Sequence, residues 1–318
     1  MNIAYYEENN YHTEILGTFL EPFIKNNSNI TVFNNSDNSD YITYFQQIIN
    51  YQLKKINDFA DLYTQFDIII VGTSSTCSFL SNPNFNLSSI KSKIYMISHL
   101  VEDLEKVITF YNIVLTPLNQ NSNNLYILPI NNFYTQKQKN YNTCRIIGLV
   151  GRFKDSNRDI KDLINLVSNY SHLNFCIKIF TRHKKFIPNE INLLQSKYPN
   201  KILIYYKIST NNLIKQLNTI NYFCPLSSQK SWYLKDRLSG MIPFAYNFNT
   251  PLLLDSLSNQ IYKLKSPIVY KTSLCEIIED LCVKTEINYL QLIDDLIEEK
   301  KEICESNNQK LDKLFEIV

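Results

Sequence analysis

The sequence predicts an α/β protein with two parallel sheets, each covered by helices. Short apolar runs alternate with amphipathic stretches, and the same rhythm returns in the second half of the chain. Such alternation is typical of βαβ units, in which helical crossovers join parallel strands. The chain has 318 residues, 44% of them hydrophobic, which suits two domains of roughly 150 residues with a core each. We therefore predict two Rossmann-like domains that face each other across a cleft.

In the first half, the apolar runs predict strands at 2–6, 29–33, 67–71, 93–97, 112–116 and 125–130. The amphipathic stretches predict helices at 12–24, 44–56 and 101–111. The polar stretch 131–143 has the composition of a linker. The first domain is accordingly predicted to span 1–137.

In the second half, strands are predicted at 145–151, 175–181, 201–207, 222–226, 251–255 and 266–270. Helices are predicted near 159–170, 189–197 and 210–220, and at 237–248 with a break near Pro243. The second domain is predicted to span 138–283. The remaining segment, 284–318, is predicted to be helical from the spacing of its apolar residues, and it is expected to pack back on the first domain.

Several classes of site are disfavoured by missing motifs. The seven cysteines include no C-x-x-C pair, which argues against a disulfide framework and a thiolate metal site. The chain lacks G-x-G-x-x-G, a P-loop, H-E-x-x-H and D-x-D. We therefore expect neither a bound metal nor a cofactor.

With no basic leader and no apolar stretch of about 20 residues, a cytoplasmic protein is expected. Richness in Asn, Ile, Lys and Tyr indicates an AT-rich genome, such as that of a giant virus or a protist.

The charge is unevenly distributed along the chain. Residues 1–137 carry 7 basic and 12 acidic groups, residues 138–283 carry 20 and 9, and residues 284–318 carry 5 and 9. The middle segment is therefore +11, and it holds all five arginines. Because the arginine fork suits bidentate binding of phosphate, we expect an anionic ligand there. A solvated basic surface is the alternative explanation of the same charge.

The junction IIGLVGRFKDSNRDIKDL, 146–163, places a charged turn between a strand and a helix, where α/β sheets bind ligands. It resembles the opening of the second domain in glycosyltransferases of the GT-B fold. The resemblance implies that Arg152 holds the diphosphate of a nucleotide-sugar. The lysine that the family has five positions later is Asn157 here, and Lys154 or Arg158 is expected to substitute for it.

A second stretch, SSQKSWYLKDRLSGMIPFAYNFNTPLLLD at 227–255, is similar to the donor-binding segment of GT-B enzymes. The resemblance implies that backbone N–H groups near the start of a helix face a phosphate or sugar. The donor-binding residues implied here are Lys235, Arg237, Ser239 and Gly240. The E-x7-E pair of many retaining members is missing, because its places are held by Asp236 and Phe244. Inverting and retaining transfer therefore both stay open.

Further candidates follow from position. His12 begins the first helical stretch, where inverting GT-B enzymes place a histidine that takes the acceptor proton. Glu7 and Glu14 are candidate orienting carboxylates, and a capping or exposed histidine is the alternative. His99 follows a strand, at a position that contacts the transferred sugar in retaining relatives. Contacts to the base or sugar are expected from Arg182, Tyr206, Ser228 and Tyr233.

The resemblance implies a glycosyltransferase that moves a hexosyl or pentosyl group from a UDP- or GDP-linked sugar to a glycan or protein hydroxyl without a metal. Two alternatives remain. One is a catalytically inert GT-B-like protein that keeps the nucleotide site. The other is a nucleic-acid-binding protein, although the basic residues fall at predicted strand ends rather than along a stripe with aromatics. We expect no nucleic-acid partner.

Overall fold

A computed structural model describes residues 1–9, 13–35, 40–78, 91–99, 111–119, 124–134, 141, 144–153, 157–228, 231–235 and 238–317. The chain forms two compact units. The first comprises Met1–Phe133 and Ile303–Val318, and the second comprises Tyr134–Glu302. Residues 284–302, expected in a separate C-terminal segment, thus belong to the second unit.

In the described residues, the first unit is built on a sheet of seven parallel strands. These are β1 Asn2–Glu7, β2 Asn29–Asn34, β3 Gln52–Lys54, β4 Ile68–Val71, β5 Lys93–Ser98, β6 Tyr111–Val114 and β7 Asn124–Tyr126. Their order across the sheet is β3-β2-β1-β4-β5-β6-β7. The described helices between them are α1 Leu16–Lys25, α2 Asp40–Gln46 and α3 Phe59–Leu62.

Burial on both faces explains why the central strands read as continuous apolar runs. All four residues of β4 are buried, and so are five of the six residues of β1 and of β2. Strands of a parallel sheet are covered by helices on each side, so they carry little alternation. One core cluster between sheet and helices includes Tyr6, Phe33 and Phe59, whose rings are in contact.

The described part of the second unit has a four-stranded parallel sheet extended by a parallel pair. The strands are β8 Arg145–Val150, β9 Phe175–Thr181, β10 Ile202–Tyr206, β11 Tyr222–Phe223, β12 Leu253–Asp255 and β13 Ile268–Tyr270. The order is β10-β9-β8-β11, and β12 pairs with β13. A bridge between Phe223 and Leu252 joins β11 to the start of β12. The strands thus form a near-continuous sheet.

The helices of the second unit are α4 Ile160–Tyr170, α5 Asn189–Lys197, α6 Thr210–Leu217, α7 Met241–Asn247, α8 Ser256–Tyr262, α9 Ile278–Val283 and α10 Glu286–Phe315. Asp159 caps α4 by accepting from the N–H of Asp162 at 3.0 Å. The buried face of α4, which includes Leu163, Leu166 and Val167, packs on the core of the unit.

Two predicted helices differ in the structure. The stretch 44–56 was expected to be one helix, but α2 ends at Gln46 and β3 occupies Gln52–Lys54. Backbone pairing with β2 makes this segment a strand, although its apolar residues have the spacing of a helix. The predicted break near Pro243 is also wrong, because α7 runs through it. Pro243 lies in the first turn, where a backbone N–H has no intrahelical acceptor.

The C-terminal helix α10 ends in the first unit, as predicted. Phe315 packs on Phe23 and Tyr95, with ring centroids 4.8 and 4.7 Å away. The Tyr95 hydroxyl donates to the Leu314 carbonyl at 2.9 Å. Within the part of the chain that is described, none of the helices combines the length and apolar character of a membrane span.

Candidate functional site

The strand order of the second unit creates a crevice between two loops. From β8 the chain proceeds to β9 and β10 on one side of the sheet, whereas β11 pairs on the other side of β8. The loops that follow β8 and β11 therefore leave the sheet in opposite directions. In open α/β sheets ligands bind at this switch point, outside the carboxyl ends of the strands.

A glycine turn begins the loop after β8. Gly151 has φ +106°, a left-handed conformation that side chains rarely adopt. Its N–H donates to the Phe180 carbonyl on β9 at 2.9 Å. The start of α7 lies beside the same turn, since the Val150 N–H contacts the sulfur of Met241 at 3.2 Å. The turn thus brings the β8 loop and the α7 segment together.

Arg158 fastens the two crevice loops to each other. Its guanidinium donates to the carbonyls of Pro225 and Val150, the latter at 3.0 Å, and lies 5.2 Å above the ring of Tyr233. Arg158 is 2% exposed, and burial lowers its pKa. No carboxylate pairs with it among the described residues. Its donors face backbone carbonyls in this structure, and its predicted role as a phosphate ligand stays a prediction.

Arg152 lies at the exposed mouth of the crevice. Its guanidinium is 5.4 Å from the ring centroid of Phe186, in the loop after β9. None of the described carboxylates forms an ion pair with it, and Lys235, exposed in the loop after β11, is likewise unpaired within those residues. Uncompensated guanidinium and ammonium groups at one sheet edge favour an anionic ligand.

Three buried polar atoms at this edge have no hydrogen-bond partner among the described residues: Asn157 Oδ1, Thr181 Oγ1 and Ser239 Oγ. Thr181 ends β9, and Ser239 precedes α7. Leaving a buried polar atom unpaired costs about 1–3 kcal/mol, so such atoms usually have a water or ligand partner. These atoms are therefore candidate ligand contacts.

The remaining predicted contacts lie around the same edge. Arg182 is exposed directly after β9, and Tyr206 is half-buried at the end of β10, where burial raises its pKa. Ser228 is half-buried and donates its N–H to the Asn157 carbonyl at 3.3 Å. Gly240 is exposed, with open space where a side chain would stand. Lys154, Arg237 and Asp236 lie outside the described residues.

The first unit has its own switch point, between β1 and β4. Glu7, fully buried at the end of β1, accepts from the Thr73 hydroxyl at 2.8 Å. His99, after β5, donates from Nε2 to the carbonyl of Gly72 at 3.0 Å, since a carbonyl only accepts. Gly72 thus lies between the buried carboxylate and the imidazole. His12, the other predicted catalytic residue, lies outside the described residues.

Sequence reasoning missed Thr181 and Phe186 as site residues. A signal for Thr181 was present in the sequence, because it is the last residue of a predicted strand and so lies at the ligand-binding edge of a parallel sheet. The contact between Phe186 and Arg152 joins two separate loops, so no local pattern could reveal it. No group of His, Cys, Asp and Glu side chains suited to a metal ion occurs among the described residues.

Comparisons with known proteins find similarity in structure alone. No model of a known protein family and no curated protein matches the sequence. HepE of Anabaena, solved with UDP and glucose, aligns over 100% of both chains with a TM-score of 0.71 and 9% identity. Trehalose-6-phosphate synthase OtsA aligns with a TM-score of 0.68 and 9% identity. The alignment covers 100% of this chain and 99% of OtsA. A glycosyltransferase of Rickettsia africae aligns with a TM-score of 0.66 and 11% identity, with the same coverage.

At such low identity the alignments establish the fold. Parallel sheets in two units, matched over the full length of both chains, confirm the predicted α/β fold with two parallel sheets. The chain therefore has the GT-B fold of these glycosyltransferases.

Proposed function

We propose that this protein is a glycosyltransferase that takes a sugar from a nucleoside-diphosphate sugar and passes it to a hydroxyl of a glycan or protein. The observation that carries the proposal is the crevice of the second unit. It combines Arg152, Thr181 and Ser239 at a sheet switch point. Within the described part of the chain, Arg152 has no carboxylate partner, and the buried hydroxyls of Thr181 and Ser239 have no hydrogen-bond partner. A UDP-linked donor is proposed because HepE, which has the same fold, was solved with UDP-glucose.

Arg152 is proposed to bind the diphosphate, with Lys235 contributing charge nearby. The hydroxyls of Ser239 and Thr181 would donate to phosphate or sugar oxygens. As the bond to the sugar breaks, negative charge grows on the departing diphosphate, and fixed cations stabilise it most in the transition state. These side chains supply that charge themselves, which supports a reaction without a metal.

The acceptor is proposed to bind the first unit. There His12 would take the proton from the acceptor hydroxyl if transfer inverts, and His99 would contact the transferred sugar. The Gly72 carbonyl accepts from His99, and Glu7 holds the neighbouring Thr73. A rigid arrangement of this kind favours a positioned contact over a surface histidine.

A thermal-shift panel with UDP, GDP, CMP and their sugar conjugates tests the donor site. We expect UDP and UDP-glucose to raise the melting temperature of the wild type, because a ligand that binds only the folded state stabilises it. The shift should vanish in Arg152→Ala and persist in Lys161→Ala, an exposed control on α4. No shift with any nucleotide would refute the proposal.

A catalytically inert nucleotide-binding protein is the second candidate. The observation that favours it is Phe244, which is 8% exposed and packs on Phe248 where many retaining enzymes have a glutamate. Release of UDP from UDP-glucose in the presence of a glycan mixture separates the two candidates. An active enzyme releases UDP and forms a product whose mass increases by one hexosyl residue, whereas an inert protein binds UDP-glucose unchanged.

A further inference from the structure

A separate pocket of about 600 Å³ opens in the first unit. Its lining includes Asn34, Leu53, Lys54, Asp58 and Asp61. A volume of this size is within the range of small-molecule sites, which is about 300–1,000 Å³. All of these lining residues belong to the first unit, whereas the Arg152 crevice is built from residues of the second.

The pocket lies at the ligand-binding edge of its sheet. Asn34 is the last residue of β2 and Lys54 is the last residue of β3. The Asn34 amide, 2% exposed, donates to the Glu7 carbonyl at 2.6 Å. This bond fixes the base of the pocket to the end of β1, next to the switch point of the first unit.

Among the described residues, the charges that line the pocket balance. Lys54 and Lys55 oppose Asp58 and Asp61. Within the described residues, the Lys54 ammonium and the Asp61 carboxylate have no ion-pair or hydrogen-bond partner, so they do not pair with each other. A balanced lining disfavours both a nucleotide phosphate and a metal cation. It offers a donor and an acceptor to a neutral ligand.

The apolar part of the lining narrows the ligand class further. Leu53 is 40% exposed, and Leu62 is half-buried beside it. A leucine that is open to solvent, in a pocket that also carries charged side chains, can cover an apolar face of a ligand. A pyranose ring has such a C–H face, and its hydroxyls both donate and accept hydrogen bonds.

We propose that this pocket is a carbohydrate subsite, in which Asp61 accepts from ring hydroxyls, Lys54 donates to them and Leu53 packs on the C–H face. Its role as the place of the sugar acceptor rests on the proposed glycosyltransferase function. Its ability to bind a carbohydrate does not depend on that function.

The test is saturation-transfer NMR on the full chain without nucleotide. The probes are the methyl glycosides of glucose, galactose, mannose and N-acetylglucosamine, each titrated to obtain a dissociation constant. Asp61→Asn and Lys54→Met remove the two polar contacts. Lys91→Met and Glu305→Gln alter exposed charges elsewhere in the same unit and serve as matched controls. Melting temperatures verify that each variant folds.

We expect at least one glycoside to bind, with a dissociation constant at least fivefold higher in Asp61→Asn and Lys54→Met and unchanged in the controls. Glycoside binding by a protein that never binds UDP would uphold the subsite and refute the donor site. Failure of all four glycosides to bind, or equal binding by every variant, would overturn the inference. Loss of UDP binding in Asp61→Asn would also overturn it, because the pocket would then hold the nucleotide.

Discussion

The guanidinium of Arg158 donates a hydrogen bond to the carbonyl of Pro225, and so joins the loop after β8 to the loop after β11. The two loops also pair through their backbones, since the Asp159 N–H donates to the Leu226 carbonyl at 2.9 Å. A buried cation therefore holds the crevice in shape. Arg152, six residues earlier in the same loop, is left at the surface, where it is available to a ligand.

Arg158→Met should destabilise the second unit. The substitution leaves the carbonyls of Pro225 and Val150 without their donor, and an unpaired buried group costs about 1–3 kcal/mol. We expect the free energy of unfolding to fall by about 3 kcal/mol in urea denaturation. Lys161→Met, on the exposed face of α4, should change it little. A loss below about 1 kcal/mol for Arg158→Met would show that these bonds contribute little.

Ser239→Ala should separate binding from stability. The buried hydroxyl of Ser239 has no partner within the described residues, so its removal should leave the unfolding free energy unchanged or slightly higher. If a ligand supplies the partner, UDP-glucose should bind roughly tenfold more weakly, equivalent to about 1.4 kcal/mol. Calorimetric titration and urea denaturation measure the two quantities. A stability loss with unchanged affinity would assign Ser239 a structural role.

Gly72→Ala should be costly. A Cβ at Gly72 would lie 2.4 Å from Glu7 Oε2 and 2.6 Å from the Tyr5 hydroxyl, and both of those side chains are buried. Overpacking of this kind typically costs about 1–3 kcal/mol, measured as the change in unfolding free energy.

Gly240→Ala is the matched control for that substitution. A Cβ at Gly240 has no atom within 4 Å, and its φ of −58° suits any residue. It should therefore leave stability unchanged. Equal effects at the two positions would contradict the close approach at Gly72.

The stability of the second unit should fall at acidic pH partly through Glu276. Backbone N–H groups of Thr272 and Lys271 donate to its carboxylate and lower its pKa from 4.5 to about 2. A pKa that is lower in the folded state adds stability above the unfolded value, and this stability is lost as pH falls from about 4.5 to about 2.

Urea midpoints at pH 5, 3.5 and 2 measure that contribution. The decline between pH 5 and pH 2 should be shallower in Glu276→Gln than in the wild type. Glu279→Gln, a neighbouring exposed carboxylate, should follow the wild type. Identical slopes for all three proteins would rule out the contribution of Glu276.

Strands with continuous apolar runs were predictable, because burial on both faces leaves short apolar runs bounded by polar turns. The run 175–181 is β9 residue for residue. The edge strand β3 was not predictable. Its residues, Gln52–Lys54, are exposed or half-buried, and the strand forms because it pairs with β2 rather than because of its own composition.

The sequence also predicted the place of the crevice, because Gly151 and Arg152 directly follow a buried strand. It did not predict that Arg158 would face carbonyls. That outcome depends on the loop after β11, far away along the chain, lying alongside the loop after β8. The pocket beside Lys54 was not predicted either, because it forms only where residues 52–54 make the strand β3.

The central claim is that the crevice of the second unit binds a nucleoside diphosphate through its phosphates. Isothermal titration of UDP and of uridine against the wild type and Arg152→Ala tests it most directly. We predict that UDP binds the wild type, that uridine binds at least 100-fold more weakly, and that Arg152→Ala removes most of this difference. If uridine and UDP bind equally, or if Arg152→Ala binds UDP as tightly as the wild type, the claim is contradicted.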